Sequence, residues 1–491
     1  MEQVTEATRH YRSMFSERTP EQLRTLAHIK RFLERLVGDP GFREQLTIHI
    51  DDPQVVAGKY GIDIDVPQLA SLYDARYRRY RFTDERDRWP LGKVWDDYIA
   101  QMVQHRDMLR DEGDASQSNP RFDKWRRRQI ERTMSELGSS GPSITHPLVA
   151  LELSEGCTVG CWFCGLSADR FKGYWPYTPE NAELWQGCIG VLNELFGSAA
   201  RTGFCYWATD PCDNPDYDRF IEDYYHITGA LPQTTTAAPL KDVDLTRRIL
   251  ALFDKYKTVT NRFSIVNLKM LERVHATFTA EELMGVELVM QNREAWGSKA
   301  NAGRAMERRQ KLRQAGKEDK IDTVPADHST IACVSGFLVN MLERKIQLVS
   351  PTRGSEAWPT GYRIYAEDHF ADAAEFRAII EGMVDAYMPE TLRANDRGSF
   401  RPDLEYTPLS DGFELKGPSR IHRVTGLKHV RAVGELLDQG NLTVGELLDR
   451  VVDQDVNIFL AAELLEEMFT GGLLDDDPKS PGRRRVLAEA S

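Results

Sequence analysis

The chain has 491 residues, more than one domain commonly holds, so two or three folded units are expected. Its 63 basic and 76 acidic residues leave a net charge of −13, which disfavours nonspecific nucleic-acid binding and gives no reason to expect DNA as a partner. Seven cysteines, an odd number, with no signal-like start argue against a secreted disulfide scaffold, and no apolar run is long enough to cross a bilayer, so a cytoplasmic location away from membranes is expected.

Residues 1–75 read as a helical module. Leu23, Leu26, Ile29, Phe32, Leu33 and Leu36 recur at helical spacing behind Thr19-Pro20-Glu21, a start that suits an N-cap and a first turn. Gly38-Asp39-Pro40 breaks that helix, Phe42 to Leu46 begins another, and Asp52-Pro53 opens a third. The stretch FLERLVGDPGFREQL…DDPQVVAGKYGIDI is similar to the leader region of the nitrogen-fixation-related class of ribosomal precursor peptides, the part that maturation enzymes grip. That resemblance implies that residues 1–75 mimic or contact a leader and occupy a groove of the C-terminal domain until substrate arrives. An ordinary helical bundle packed on the catalytic domain accounts for the same amphipathic pattern.

Residues 76–145 form a charged, helical linker region with two basic runs, Arg76–Arg81 (RYRRYR) and Lys124–Arg128 (KWRRR); a third lies at Arg304–Arg313. Such runs are usually solvated helix faces, with an acidic peptide as the alternative partner. Gly138-Ser139-Ser140-Gly141-Pro142 reads as a linker, and the catalytic core, 146–350, is expected to follow it.

An apolar, strand-like stretch, Leu148–Leu153, runs into Cys157, Cys161 and Cys164, a CxxxCxxC triplet with the aromatic Phe163 before the last cysteine. Three thiolates can hold three irons of a four-iron cluster and leave the fourth open. A zinc site or reduced structural cysteines are the alternatives; structural zinc normally takes four ligands from two separated pairs, and the chain has no second CxxC or HxxxH pair. The motif resembles that of the radical SAM superfamily. The resemblance implies a 4Fe–4S cluster on the three cysteines, S-adenosylmethionine (SAM) chelating the open iron with Phe163 in contact, and an external electron donor, a flavodoxin or ferredoxin.

Downstream elements alternate. A helix is expected around Pro179–Leu195, strands at Thr202–Ala208 and Gln233–Ala237, a helix at Leu245–Phe253, a strand at Asn261–Leu268, a helix end at Glu281–Met284 and a strand at Val286–Met290. Alternation implies right-handed parallel βα units, here an α/β protein with a partial (βα)6 barrel, whose active residues belong at the C-terminal ends of the strands. Radical SAM enzymes end the second strand in a Gly-Gly-Glu-Pro-like motif that contacts the SAM amino group. Ala208-Thr209-Asp210-Pro211 stands in that place, lacking two glycines and carrying a shorter acid, so Thr209 and Asp210 are expected to bind the cofactor. By the strand-end logic Thr236, Ser264 and Gln291 are also expected to touch SAM, although polar residues cap many strands for structural reasons alone.

Cys188, Cys205, Cys212 and Cys333 are too scattered for an array of auxiliary clusters, and no DxHxxG motif marks a cobalamin domain. Quenching of a substrate radical by a side-chain hydrogen donor remains. Cys333, in the β-like stretch STIACVSG late in the barrel, is the candidate. A peptide Cα radical is planar, so a thiol opposite the deoxyadenosyl group returns hydrogen with inversion. A free cysteine is equally a small buried hydrophobe, and Cys212 is the competing donor. This stretch and CWFCGLSADRFKGYWPY resemble the radical SAM peptide epimerases of ribosomal peptide maturation, the family of the polytheonamide-pathway enzyme, over about residues 20–420. The resemblance implies conversion of L- to D-residues in a precursor peptide. Splicing or crosslinking of such a peptide, or leader binding without catalysis, are the other functions compatible with these residues.

A barrel extension is expected over 351–420 and a C-terminal domain over 421–478. The latter shows a helix at Val430–Leu437, a Gly440-Asn441 turn, a helix at Thr443–Val451 with Thr443 as N-cap, and a helix at Ile458–Phe469 ended by Gly471-Gly472. The pattern ELLDQGNLTVGELLDRV…LLEEMFTGGLLDDD is similar to winged-helix or PqqD-like recognition elements, which pair an edge strand and a helix with a leader peptide. A ribosomal precursor with a nitrogen-fixation-related leader is therefore the implied partner, and the segment's acidity speaks against DNA. From Asp476 onward a mobile tail is expected, with 479–491 beyond the last domain.

Overall fold

A computed structural model describes residues 4–296, 301–317, 330–426, 428–454 and 456–480. Local capping starts the first helices. Thr5 caps α1 (Glu6–Ser16), accepting from the Thr8 amide; a capping box between Thr19 and Gln22, with proline in the first turn, opens α2 (Pro20–Gly38). Asp39 caps α3 (Pro40–Ile48) by accepting from the Phe42 amide at 3.0 Å, and α4 (Gln54–Lys59) and α5 (Ala70–Tyr73) follow. Ile29, Phe32 and Leu36 close with Phe42, Val56, Ile62 and Leu69 into a core of their own.

This module is fastened to the central α/β unit. Arg31 donates to the Phe278 carbonyl at 2.6 Å, Asn292 to the Gly38 carbonyl at 2.8 Å, and His275 meets Glu34 at 3.0 Å. The expected seat in a groove of the C-terminal domain is thus corrected: among the described residues, its hydrogen bonds to the rest of the protein beyond residue 112 end on residues 256–296.

Helices α6 (Pro90–Glu112) and α7 (Pro120–Glu136) come next. The KWRRR run is a solvated face only at Lys124 and Arg127. Arg126 is buried and donates to the carbonyls of His146 (2.8 Å), Thr145 (3.0 Å) and Arg110 (2.7 Å), and buried Arg128 donates to the Pro389 carbonyl at 2.9 Å. Nor is Gly138–Pro142 a loose linker: it is a 3-10 turn folded onto α7, where a Cβ on Gly141 would lie 2.6 Å from the Thr133 carbonyl oxygen.

The central unit carries β1 (Val149–Glu152), β2 (Ser154–Glu155), β3 (Gly173–Tyr174), β4 (Thr235–Thr236), β5 (Asn261–Ile265), β6 (Val286–Met290), β7 (Gly336–Asn340), β8 (Lys345–Pro351) and β9 (Tyr362–His369). Helices α8 (Pro179–Phe196), α9 (Tyr217–Thr228), α10 (Val243–Tyr256), α11 (Leu268–Thr277), α12 (Gly303–Gln314) and α13 (Ala373–Tyr387) complete the mixed α/β unit. Parallel pairing runs β6, β5, β4, then single bridges from Gln233 to Phe204 and from Phe204 to Ala150, then β1 and β7. The expected strand Thr202–Ala208 is therefore reduced to bridges at Phe204. Glu281–Met284 is a turn, and α11 takes the last residue of the expected strand Asn261–Leu268. The barrel stays open between β6 and β7 for a topological reason. β7 already pairs with β1 on one edge and antiparallel with β8 on the other, so neither edge is left for β6.

The last region contains β10 (Arg397–Gly398), the antiparallel meander β11 (Glu405–Leu409), β12 (Gly412–Lys416) and β13 (Ile421–Thr425), then α14 (Lys428–Gln439), β14 (Leu442–Thr443), α15 (Val444–Asp453) and α16 (Ile458–Thr470). Phe413 and Leu415 of β12 share one core with Val433, Leu437, Leu447 and Leu465, so the expected boundary at 420/421 falls inside that core. Thr443 and Glu446 make a capping box at α15. The chain beyond Asp476 is anchored rather than mobile as far as it is described. Asp476 pairs with Arg132, and Asp477 accepts from Trp358 Nε1 (3.0 Å) and Arg363 Nε (2.9 Å). Arg363 in turn forks onto both oxygens of buried Glu136 at 2.8 Å each. Residues 481–491 of the expected tail, like Ser329 of the Cys333 stretch, lie outside the described residues. Among those described, no helix is long and apolar enough to cross a membrane.

Candidate functional site

The C-terminal end of β1 leads through β2 into the cysteine loop. Gly156 turns the chain with φ +71°, where a Cβ would come within 2.2 Å of the Arg170 carbonyl oxygen, so only glycine fits. The Cys157 amide then donates to the Asp169 carbonyl at 2.9 Å, closing the loop on itself. Two amides point at sulfur: Val159 N–H at Cys157 Sγ and Ala168 N–H at Cys164 Sγ, each at 3.4 Å.

Two outside residues hold this loop. Asp213, fully buried, accepts from the Thr158 amide (2.9 Å) and hydroxyl (2.5 Å) and pairs with Lys241 at 2.5 Å. From α12, Arg304 receives the loop on three carbonyls: its amide donates to Cys164 (2.9 Å), its guanidinium to Cys161 (2.9 Å) and Ala168 (2.5 Å). Gly303 permits that approach, since at φ +53° a Cβ there would sit 2.3 Å from the Gly165 oxygen. Trp162 stacks edge-to-face on Phe163, and Arg293 and Arg308 lie over the Trp162 ring at 5.3 and 4.5 Å.

All three thiols are half-buried. Burial pushes Cys157 up to about 11 and Cys161 up to about 12, the latter helped by its two neighbouring thiols. A cation must therefore supply what water does not if these groups are to be thiolates. Among the described residues no three such side chains converge as a single-ion site. An iron–sulfur cluster instead takes one thiolate per iron, and sulfur-directed amides are the hydrogen bonds such a cluster accepts, so the donor set fits a 4Fe–4S group.

The expected cofactor residues gather at the same strand ends but differ in freedom. Asp210 accepts from Thr236 Oγ1 (2.7 Å) and from the amides of Ala237 (2.7 Å) and Cys212 (2.9 Å); burial raises its carboxyl to about 6. Asp210 and Thr236 thus join two strand ends to each other. Thr209, Ser264 and Gln291 are half-buried, as is Phe163.

Residues 330–335 form no strand, which corrects the β-like reading of the Cys333 stretch. They enter β7 at the N-terminal end of the barrel, where Ser335 Oγ meets His146 Nδ1 at 2.8 Å. The other end reaches the cysteine loop: a Cβ on Gly165 would lie 2.9 Å from Ile331. Cys333, half-buried, sits between those two anchors in an apolar cluster with Phe204, Trp207 and Leu338. Cys212 is enclosed, with Thr236 Oγ1 on its sulfur at 3.3 Å.

Over 468 residues the chain is 50% identical to protein y4wI of Sinorhizobium fredii (strain NBRC 101917 / NGR234), covering 95% of this chain and 91% of that one. The chain belongs to the y4wI family. Residues 398–472 also match the family model described as the protein y4wI C-terminal domain, a span that contains the meander and its three helices. Against a crystal structure of BtrN in complex with AdoMet and 2-DOIA the TM-score is 0.26 at 15% identity, covering 41% of this chain and 72% of that one, which is too low to establish a shared fold.

Three residues of this y4wI-family site escape sequence reading. Asp213 and Arg304 act on the loop from 55 and about 140 residues away in sequence. Glu152, at the end of β1, accepts from the Ala208 amide at 2.7 Å and from Asn340 at 3.2 Å, and burial pushes it up to about 7. Its one visible signal is an acid in an otherwise apolar strand.

Proposed function

We propose that this y4wI-family protein is a radical SAM peptide epimerase that converts L- to D-residues in a ribosomally made precursor. The observation that carries the reading is the loop at the end of β1: three half-buried thiols, two amides directed at sulfur, and clamps from Asp213 and Arg304. With a cluster and SAM bound, the site is supplied with a 5′-deoxyadenosyl radical able to take a Cα hydrogen atom.

The chain's own residues do the rest. Cys157, Cys161 and Cys164 would hold the cluster, and Thr209, Ser264, Gln291 and Phe163, all half-buried, would orient SAM. Cys333 returns a hydrogen atom from its S–H to the opposite face of the Cα radical, which leaves a thiyl radical. One electron from a flavodoxin or ferredoxin and one solvent proton restore the thiol. Two facts support Cys333 over Cys212: it lies two residues, at most about 7 Å of chain, from Ile331 against the cysteine loop, and it is not enclosed as Cys212 is. The C-terminal domain, with its meander edge strands, suits capture of a nitrogen-fixation-related leader. The test is turnover in heavy water with wild type and Cys333→Ala. Solvent deuterium at each inverted Cα, lost together with inversion in the variant, is the expected result; normal inversion by Cys333→Ala refutes the assignment.

A further inference from the structure

Between helices α2 and α6 and the barrel lies a cavity of about 600 Å3. Pro147, Gly203, Leu231, Val259 and Val286, all at or just before the start of a parallel segment, form its wall, and Cys333 faces into it. Val289, Met290 and Trp296, toward the other end of β6, line it as well, so the cavity runs along the length of β6 past Cys333. Its size is that of pockets that enclose a whole small ligand, which means a few residues of extended chain rather than a single side chain.

One observation describes the occupant: apolar residues continue outward from the cavity. Ile99 and Val103, one helical turn apart on α6, are 38% and 41% exposed, and Trp296 is 59% exposed. A compact molecule held inside would leave them wet, whereas a chain leading out would cover them.

We infer that this cavity receives an apolar, extended segment of the core peptide, so that the residues presented to Cys333 carry aliphatic or aromatic side chains. The inference rests on the reading that the substrate is a peptide. Its test uses the cluster-loaded full chain without SAM or reductant, and two blocked pentapeptides, one of Val, Leu and Phe and one of Ser, Asn and Thr, titrated by calorimetry. The apolar peptide should bind at least tenfold more tightly, and Val103→Trp, which fills the mouth from a half-exposed position, should weaken it at least tenfold with circular dichroism and iron content unchanged. Ile99→Trp serves if Val103→Trp does not fold. Equal affinity for the two peptides, or indifference to both tryptophan variants, overturns the inference. So does tight binding of free indole that the apolar peptide cannot displace. Selective binding of the apolar pentapeptide, together with no deuterium gained by a leader-bearing precursor carrying that segment once SAM and reductant are added in heavy water, sinks the epimerase reading and leaves the apolar peptide site standing.

Discussion

The cysteine loop and the Glu136 lock that ties the C-terminal tail to the core are both built around charged or ionisable groups, and they treat those groups in opposite ways. In the lock, Glu136 accepts from Arg363 and Thr352 and pairs with Arg132, and Asp476 and Asp477 complete the set, so each charge meets an opposite one, with Glu136, Arg132 and Arg363 buried. At the loop, the polar contacts hold backbone carbonyls and Thr158, and two of the thiols, Cys157 and Cys164, receive weak N–H contacts. The difference is physical: saturated groups fix geometry, while the Cys157 and Cys161 thiols, raised by burial and without a strong partner, are free to take one.

The largest effect should come from the loop. Cys161→Ala removes the thiol placed between the other two, and complete loss of cluster iron and sulfide is expected, read by elemental analysis of anaerobically reconstituted protein, with the fold unchanged by circular dichroism. Retention of a full cluster would erase the contrast drawn above.

Glu136→Gln comes next. Removing one partner of a buried set costs about 3–5 kcal/mol, measurable by denaturant unfolding. Burial alone would raise the Glu136 carboxyl, but Arg363 and Arg132 together outweigh it and hold it below the usual range. The carboxylate's contribution is thus fully present above its unfolded value of roughly 4.3 and is lost as pH falls through the lowered folded value. Wild-type stability should fall along that acid limb more steeply than that of the variant; parallel curves would mean that the lock carries little charge energy.

A smaller change sharpens the loop side. Thr158→Val deletes the hydroxyl bond to Asp213 while keeping the amide bond. A hydrogen bond to a charged group is worth about 1.5–3 kcal/mol, so roughly tenfold faster iron release to a chelator is expected with global stability nearly unchanged. Equal release rates would show that the Thr158 hydroxyl bond to Asp213 does not help to hold the loop.

The same division explains what could be read from sequence. Thr19 and Thr443 announce their helices because capping joins residues three apart, whereas Asp39, legible only as part of a break, also caps α3. The cysteine spacing is local in the same sense. The pairing of β7 with β1, the burial of Arg126 and Arg128, the Asp213 and Arg304 clamps and the anchoring of Asp477 all join distant residues, and a basic run looks alike in sequence whether it faces water or buried carbonyls. Cys333 was visible as a residue, but its position was not, because the segment that carries it is held at its two ends by Gly165 and His146 and not by a strand ladder.

The central claim is that Cys333 donates hydrogen across a peptide radical. The most direct measurement is mass spectrometry of a leader-bearing precursor turned over in heavy water, with chiral amino-acid analysis of the product. The account predicts one deuterium at every D-centre with wild type, and deoxyadenosine without D-residues from Cys333→Ala. D-residues from that variant, or wild-type D-residues free of deuterium, would contradict it.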